Sequence, residues 1–430
     1  MYSPSMNLTK EEKEILSGSK GETIRKALES VVRFGDIFGA DRLLDLDHGV
    51  HLVTSFGIPL LTPVFDIMDE LISSSLKTAK PFTVDPRPTD FKNVACPLPA
   101  KLVFKKIMYA KQKDYEKQLS KVGLKDNKAF SCACYLEEVG NIPKKGDILA
   151  WAESSAVVYA NSVLAARSNR NSGVLELLCG ITGKAPNFGL LSDEGRKAPW
   201  IIEVKTDALP EAQLLGSAIG MKVMEAVPYI KGLDKFLGNE LTNDAKDYLK
   251  DMGAACASNG AVGLFHVDGL TPEAKEQASS LILKGAKTYI IDDVEIAKIK
   301  NSYPVMWKNP QAKAERCFIG CPHLSKNQLY GWLERLEKGL KDNNRGSLVV
   351  PVILTTAPDV EAVFRSDTAA LKRLEATGAK LSTICPLMYM NNPLCGKKPV
   401  ITNSNKLRTY TMARYYTDDE ITGIVCGGAK

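Results

Sequence analysis

The sequence predicts an α/β protein, with mainly parallel sheets flanked by helices in two or three lobes. Two observations carry that prediction. Through the second half, apolar segments read alternately as strand and helix, the pattern of parallel strands joined by helical crossovers. The chain is also 430 residues long with 44 % hydrophobic residues, enough to bury several such layers.

Residues 8–35 predict two helical pieces: Thr9 and Glu12 form a capping box, and Ile24, Leu28 and Val31 recur near the helical period. TVDPRPTDF is proline-rich and predicts loop. GDILAWAE predicts a strand, and SSAVVYANSVLAAR the helix behind it. PWIIEVKT then reads as strand, AQLLGSAIGMKVMEAV and NDAKDYLKDMGAACAS as helices, and AVGLFHVDG as strand. Thr271 as N-cap, with Pro272 at the first helical position, opens TPEAKEQASSLIL. TYIID and RCFIG read as strands, and Ser325 with Gln328 caps NQLYGWLERLEKGL. SLVVPVILTT, DVEAVFRSDTAALKRLEATG and LSTIC continue the alternation. We divide the chain into a lobe over residues 1–205, carrying AWAESSAVVYANSVLAARSNR, and one over residues 206–430, carrying the GCPH and TICP cysteines.

Charge and hydropathy remove several functional classes. The formal charge of +6 is mild, and its lysines are scattered with glutamates, as in KKIMYAKQKDYEK, so a solvated surface is expected and no nucleic-acid partner. The N-terminus lacks the apolar core of a signal peptide, and no uncharged apolar run approaches the roughly 20 residues that span a bilayer. We therefore expect no membrane association and a cytoplasmic protein whose ten cysteines stay reduced. Cys179 and Cys256 sit in apolar stretches and read as buried small residues.

Other cysteines fall where ligands are expected. Open parallel sheets bind ligands beyond the carboxyl ends of their strands. RCFIG runs into Cys321-Pro322-His323, and LSTIC ends on Cys385 followed by Pro386, so two cysteines fall on that rim. Cys132, in FSCACYLEE, is a third candidate from the first half. Three converging thiolates suit an iron–sulfur cluster, in which an iron lacking a protein ligand can act as a Lewis acid. A zinc site is not expected, because CxxC knuckles are missing and the chain has four histidines.

The segment GDILAWAESSAVVYANSVLAARSNR resembles the signature of the aconitase X family. FSCACYL, GLFHVDGLTPEA, IGCPHLS, TICPLMY, VITNSNK and the N-terminal LTKEEKEILSG agree in order, so the resemblance covers nearly the whole chain. It implies an aconitase-like core and a hydro-lyase that eliminates water from a small hydroxy acid. It also implies an iron–sulfur cluster, 2Fe–2S or 4Fe–4S, held by Cys132, Cys321 and Cys385. His323 beside a ligand is the candidate to tune the cluster by hydrogen bonding. Substrate contacts are expected from Arg167, Asn169 and Arg170 near the end of the signature helix and from Ser155. Ser404 and Lys406 are the catalytic candidates, and Glu153 and Ser154 either reach the site or only cap the helix. The family's swivelling domain is either fused or separate. The chain ends at ITGIVCGGAK with nothing resembling it, which implies a small partner subunit.

Several positions depart from the family pattern. PFTVDPRPTDF stands where a PTTLN-like string is expected, so Asp85 and Arg87 replace the usual contacts in a plausible recognition loop. Cys134 stands where proline is commoner, leaving Cys132 or Cys134 as first ligand, and Ala165 replaces a glycine, implying slightly looser packing. The expected substrate is cis-3-hydroxy-L-proline, with mevalonate 5-phosphate as the alternative. A non-catalytic iron–sulfur sensor or assembly protein is the alternative of another class. His266 reads equally as a substrate contact or a core histidine, and His48 and His51 carry no signal.

Overall fold

A computed structural model describes residues 4–171 and 173–428. Two parallel sheets organise the second half. In the first, the strand order is His266–Val267, Pro228–Lys231, Ala198–Val204, Ile282–Ile291. In the second it is Lys380–Ser382, Val352–Thr356, Arg316–Leu324, Val400–Thr402, Arg414–Tyr415. Ala198–Val204, assigned above to the first lobe, is hydrogen-bonded to strands of the second. The N-terminal part is mainly helical, with two short two-stranded sheets: Leu43–Asp45 against Lys184–Pro186, and His51–Leu52 against Thr83–Val84. Among the described residues no helix is long and apolar enough to cross a membrane.

The burial pattern explains why these elements pack. The largest apolar cluster joins the helix Ser154–Ser162, through Ala156, Val157 and Val158, to both large sheets, through Ile202, Ile319 and Leu354. A separate core fills the N-terminal part around Leu28, Met68, Phe82 and Leu119. Between them, Phe104, Phe318, Ile384 and Tyr389 form a smaller cluster that includes Cys321. Both predicted capping boxes are present, at Thr9/Glu12 and Ser325/Gln328, each satisfying two backbone donors that the first helical turn leaves free.

Several expectations change, among them these four. GDILAWAE is not a regular strand; it makes isolated bridges, Ile148 with Arg167 and Trp151 with His51 and Arg170. AVGLFHVDG shortens to His266–Val267. The helix after Glu153 stops at Ser162, because the chain reverses direction to pair with residues 148–151, with Ala165 at φ +54°. The glycine-to-alanine departure there is thus a matter of backbone conformation, since an L side chain in the left-handed region costs about 1–2 kcal/mol. Finally, RCFIG does not end before the cysteine: the strand continues to Leu324 through an irregularity in its pairing with Val352–Thr356. Gly320 has φ +105° there, and a Cβ would lie 2.3 Å from the Thr355 carbonyl oxygen. Only glycine fits that approach.

Ala165→Gly is expected to raise the apparent melting temperature by roughly 1–3 °C, as relief of the positive φ outweighs the extra freedom of the unfolded chain. Circular dichroism melts check this; a lower midpoint would mean that the buried methyl group matters more than the backbone.

Candidate active site

Three segments remote in sequence line one cavity of about 360 Å³: the loop bearing Cys132, the irregular strand bearing Cys321, and Cys385 at the head of the helix Pro386–Met390. His323 ties them together. Its Nε2 meets the Ile384 carbonyl at 3.1 Å, which only accepts, so Nε2 carries the hydrogen. Burial depresses its pKa to about 4, so the ring is neutral and Nδ1 accepts from the Ser131 hydroxyl at 3.1 Å. Its backbone N–H donates to Cys132 Sγ at 3.3 Å. One buried residue therefore bonds to the neighbours of two cysteines and to the sulfur of one, while standing two positions from the third.

The ionisable groups around this cavity are arranged in pairs. Glu153 caps the helix Ser154–Ser162: its Oε2 accepts from the Ala156 N–H at 2.7 Å and the Ser155 hydroxyl at 2.6 Å. Its Oε1 accepts from the Lys406 ammonium. Burial alone would raise the Glu153 pKa, but the Lys406 charge and these hydrogen bonds outweigh it and hold the carboxylate down at about 2. Burial disfavours the Lys406 charge as well, but Glu153 foremost, with Cys321, Asp85 and Cys132, outweighs it, so its pKa is raised and it stays an ammonium. Lys406 lies in the first turn of the helix Asn405–Tyr410, whose N-cap is Ser404. Arg170 also lines the cavity and makes no ion pair or side-chain hydrogen bond among the described residues.

Of the residues singled out from the sequence, the structure gathers Cys132, Cys321, Cys385, His323, Lys406, Arg170 and Asp85 around this cavity. Others are engaged elsewhere. Arg167 turns outward to Asp193 and the Leu191 carbonyl, so it cannot hold a substrate carboxylate here. Asn169 bonds to the Phe188 carbonyl and the Leu190 N–H, fixing a loop. Arg87 makes a two-pronged pair with Glu116 and stacks 3.7 Å over Phe130, away from the cavity. Ser155 is consumed by Glu153, and the Ser404 hydroxyl donates to the Cys321 carbonyl, so both position other groups. Cys134 is packed in the main core, whereas Cys132 lines the cavity. His266 lies in the core, where its Nε2 donates to the Arg196 carbonyl at 2.8 Å.

Two residues stand nearer the charged groups of this cavity than their sequence context indicates. Glu153 carried the signal of its place in the long signature. His51 carried none: it is fully buried, with Nε2 3.4 Å from Asp85 Oδ1. That proximity exists only through the parallel pairing of His51–Leu52 with Thr83–Val84.

Whether these residues fit an iron–sulfur cluster follows from the donor set. Burial raises the pKa of all three cavity thiols, that of Cys385 to about 12, so without a metal they stay protonated; a bound metal displaces those protons. Among the described residues no three side chains converge on the position of a single ion. A cluster spreads its thiolates over separate irons, so wider spacing around a shared cavity suits it. The amide aimed at Cys132 Sγ and the nearby Lys406 charge both favour thiolate there. The residues fit the group.

Comparison with known proteins agrees with the fold and the signature. The family description "Aconitase X first domain" matches residues 5–194, and "Aconitase X second domain" matches residues 198–301. The chain is 31 % identical to the phosphomevalonate dehydratase large subunit of Thermococcus kodakarensis, over 83 % of each chain. It is 28 % identical to a cis-3-hydroxy-L-proline dehydratase of Pseudomonas aeruginosa, over 92 % of this chain and 65 % of that protein. The crystal structure of Thermococcus kodakaraensis aconitase X in its holo-form superposes with a TM-score of 0.80 at 28 % identity, over 98 % of this chain and 100 % of the other.

His323→Leu leaves the Ser131 hydroxyl and the Ile384 carbonyl buried without partners, at about 1–3 kcal/mol each. The expected outcome is an apparent melting temperature lower by more than about 5 °C. Melting as wild type would show that the imidazole does not hold the three segments together.

Proposed function

The chain belongs to the aconitase X family of hydro-lyases, and on that premise we propose that it is the large subunit of a two-chain iron–sulfur dehydratase acting on a small hydroxy acid. The observation that carries this reading is the convergence of Cys132, Cys321 and Cys385 on one cavity that also holds Arg170 and the Glu153–Lys406 pair. A small partner subunit is part of the reading, by analogy with the large subunit from Thermococcus kodakarensis. The ten unpaired cysteines suit a cytoplasmic setting.

A cluster bound by the three cysteines supplies Lewis acidity toward the departing oxygen. This chain's residues do the rest of the positioning. Arg170 offers a planar guanidinium for the substrate carboxylate. Lys406, fixed by Glu153, presents a permanent positive charge where the leaving oxygen gains negative charge. Phe56, Leu387 and Met388 give the cavity apolar walls that limit water and strengthen those charges. Removal of the carbon-bound proton is assigned to the partner subunit, since the Ser404 hydroxyl is already engaged.

For the substrate we favour cis-3-hydroxy-L-proline. The cavity is lined by two cations and two carboxylates, which suits a zwitterion better than a phosphorylated trianion. Mevalonate 5-phosphate is the second reading, favoured by the coverage of the Thermococcus kodakarensis relative, 83 % against 65 % for the proline dehydratase.

Anaerobic co-expression with the candidate small subunit tests this. Wild type is expected to carry iron and absorb visible light, and to dehydrate cis-3-hydroxy-L-proline faster than mevalonate 5-phosphate. Cys321→Ala/Cys385→Ala is expected to lose both iron and colour; unchanged iron would retire the ligand assignment. Lys406→Met is expected to keep its iron and lose at least about 100-fold in kcat/KM, an effect of roughly 2.7 kcal/mol. A smaller loss would remove Lys406 from the machinery.

A further inference from the structure

One polar group facing the cavity has no task in the reaction as described. Asp85 follows the short strand Thr83–Val84 and lines the cavity, its backbone N–H donating to the Leu52 carbonyl at 2.9 Å. Its carboxylate is 17 % exposed, and its Oδ1 is buried and without a hydrogen bond, 3.4 Å from His51 Nε2.

The hydrogen bonds behind it decide what His51 shows to Asp85. Thr83 Oγ1 accepts from Asn141 Nδ2 at 2.9 Å and lies 2.9 Å from His51 Nδ1. With the Thr83 hydroxyl donating to Nδ1, a neutral ring carries its hydrogen on Nε2. If the ring is charged, both nitrogens carry one. In both of these states an N–H faces Asp85 and favours the ionised carboxylate against burial, which raises its pKa to about 6; at neutral pH it is ionised, and its other oxygen is left to the cavity. The cavity is also lined by Arg170, unpaired among the described residues, and Lys406, whose charge is met by Glu153. At neutral pH the cavity therefore presents the Asp85 carboxylate and one unopposed cation.

We propose that Asp85 is a specificity-determining residue, whose carboxylate reserves the site for a hydroxy acid bearing a protonated nitrogen close to its carboxylate. This deepens the dehydratase reading and rests on it for the identity of the cavity as substrate site. Arg170 receives the substrate carboxylate and Asp85 the ammonium, while a substrate phosphate in that place meets a negative charge without a matching cation from this chain. His51 is a positioning residue that aims the carboxylate.

The test separates recognition from turnover by using ligands that lack the hydroxyl and cannot react. Binding of L-proline and of cyclopentanecarboxylate, its nitrogen-free counterpart, is measured by calorimetry on the cluster-loaded complex of this chain with its small subunit. Wild type is expected to bind L-proline at least about 30-fold more tightly, the worth of a charged hydrogen bond. Asp85→Asn is expected to bring the two affinities within about threefold through loss of L-proline binding alone. Equal binding by wild type overturns the proposal whether or not the variant folds, as does a discrimination that survives Asp85→Asn. Tighter binding of mevalonate 5-phosphate than of L-proline also overturns it, and if that compound is dehydrated the dehydratase reading survives. Asp85-dependent L-proline binding without dehydration of any hydroxy acid supports the role of Asp85 and removes the dehydratase reading instead.

Discussion

The site depends on one buried imidazole. The chain between Cys132 and Cys321 is long, and closing such a loop carries an entropic cost that must be met by contacts at the junction. His323 makes those contacts at the ends of all three segments: a ring nitrogen to each of Ser131 and Ile384, and its own amide to the sulfur of Cys132. Because the ring is neutral and fully buried, each of its nitrogens has an assigned role, Nε2 donating to Ile384 and Nδ1 accepting from Ser131. The cysteines can then share a cavity without a disulfide or a sheet joining all three.

A second constraint is electrical. The cavity sits among apolar walls, where an unpaired charge is costly, and the chain answers with close pairs. Glu153 and Lys406 hold each other ionised against their own desolvation. The capping geometry of the helix Ser154–Ser162 adds two further donors to the carboxylate, so the same residue that starts a helix also fixes a cation in the cavity. Asp85 and His51 form a looser pair at another wall, set by a two-residue parallel pairing. These pairs leave Arg170 as the cation free to meet an incoming anion.

The architecture serves this arrangement by bringing loops from separate layers to one place. Cys321 departs from the simple rule that ligands lie beyond strand ends: it lies inside a strand whose pairing is locally irregular, made possible by the close approach of Gly320 to Thr355. Cys385 follows the rule more nearly, three residues past the strand Lys380–Ser382 and at a helix N-cap. A loop from the N-terminal part is pinned beside it, the Cys385 N–H donating to the Arg87 carbonyl at 2.9 Å. That bond places Asp85 in the cavity while the side chain of Arg87 leaves it for Glu116.

Local order was legible in the residues alone. The alternation of strands and helices, the capping boxes at Thr9 and Ser325, and the long signature through Arg170 depend on neighbours within a few positions, and short-range preferences suffice to read them. The signature also singled out Arg167 and Arg170 but could not choose between them. The helix was expected to run further than Ser162, and the turn at Ala165 sends Arg167 out to Asp193 while Arg170 reaches the cavity. Nor could it reveal the approach of His51 to Asp85, which exists only because a strand more than thirty residues away lies alongside it. Which charges face each other is decided by backbone reversals and by pairing between distant segments. Those are set by the packing of the whole molecule, and periodicity along the chain carries no record of them.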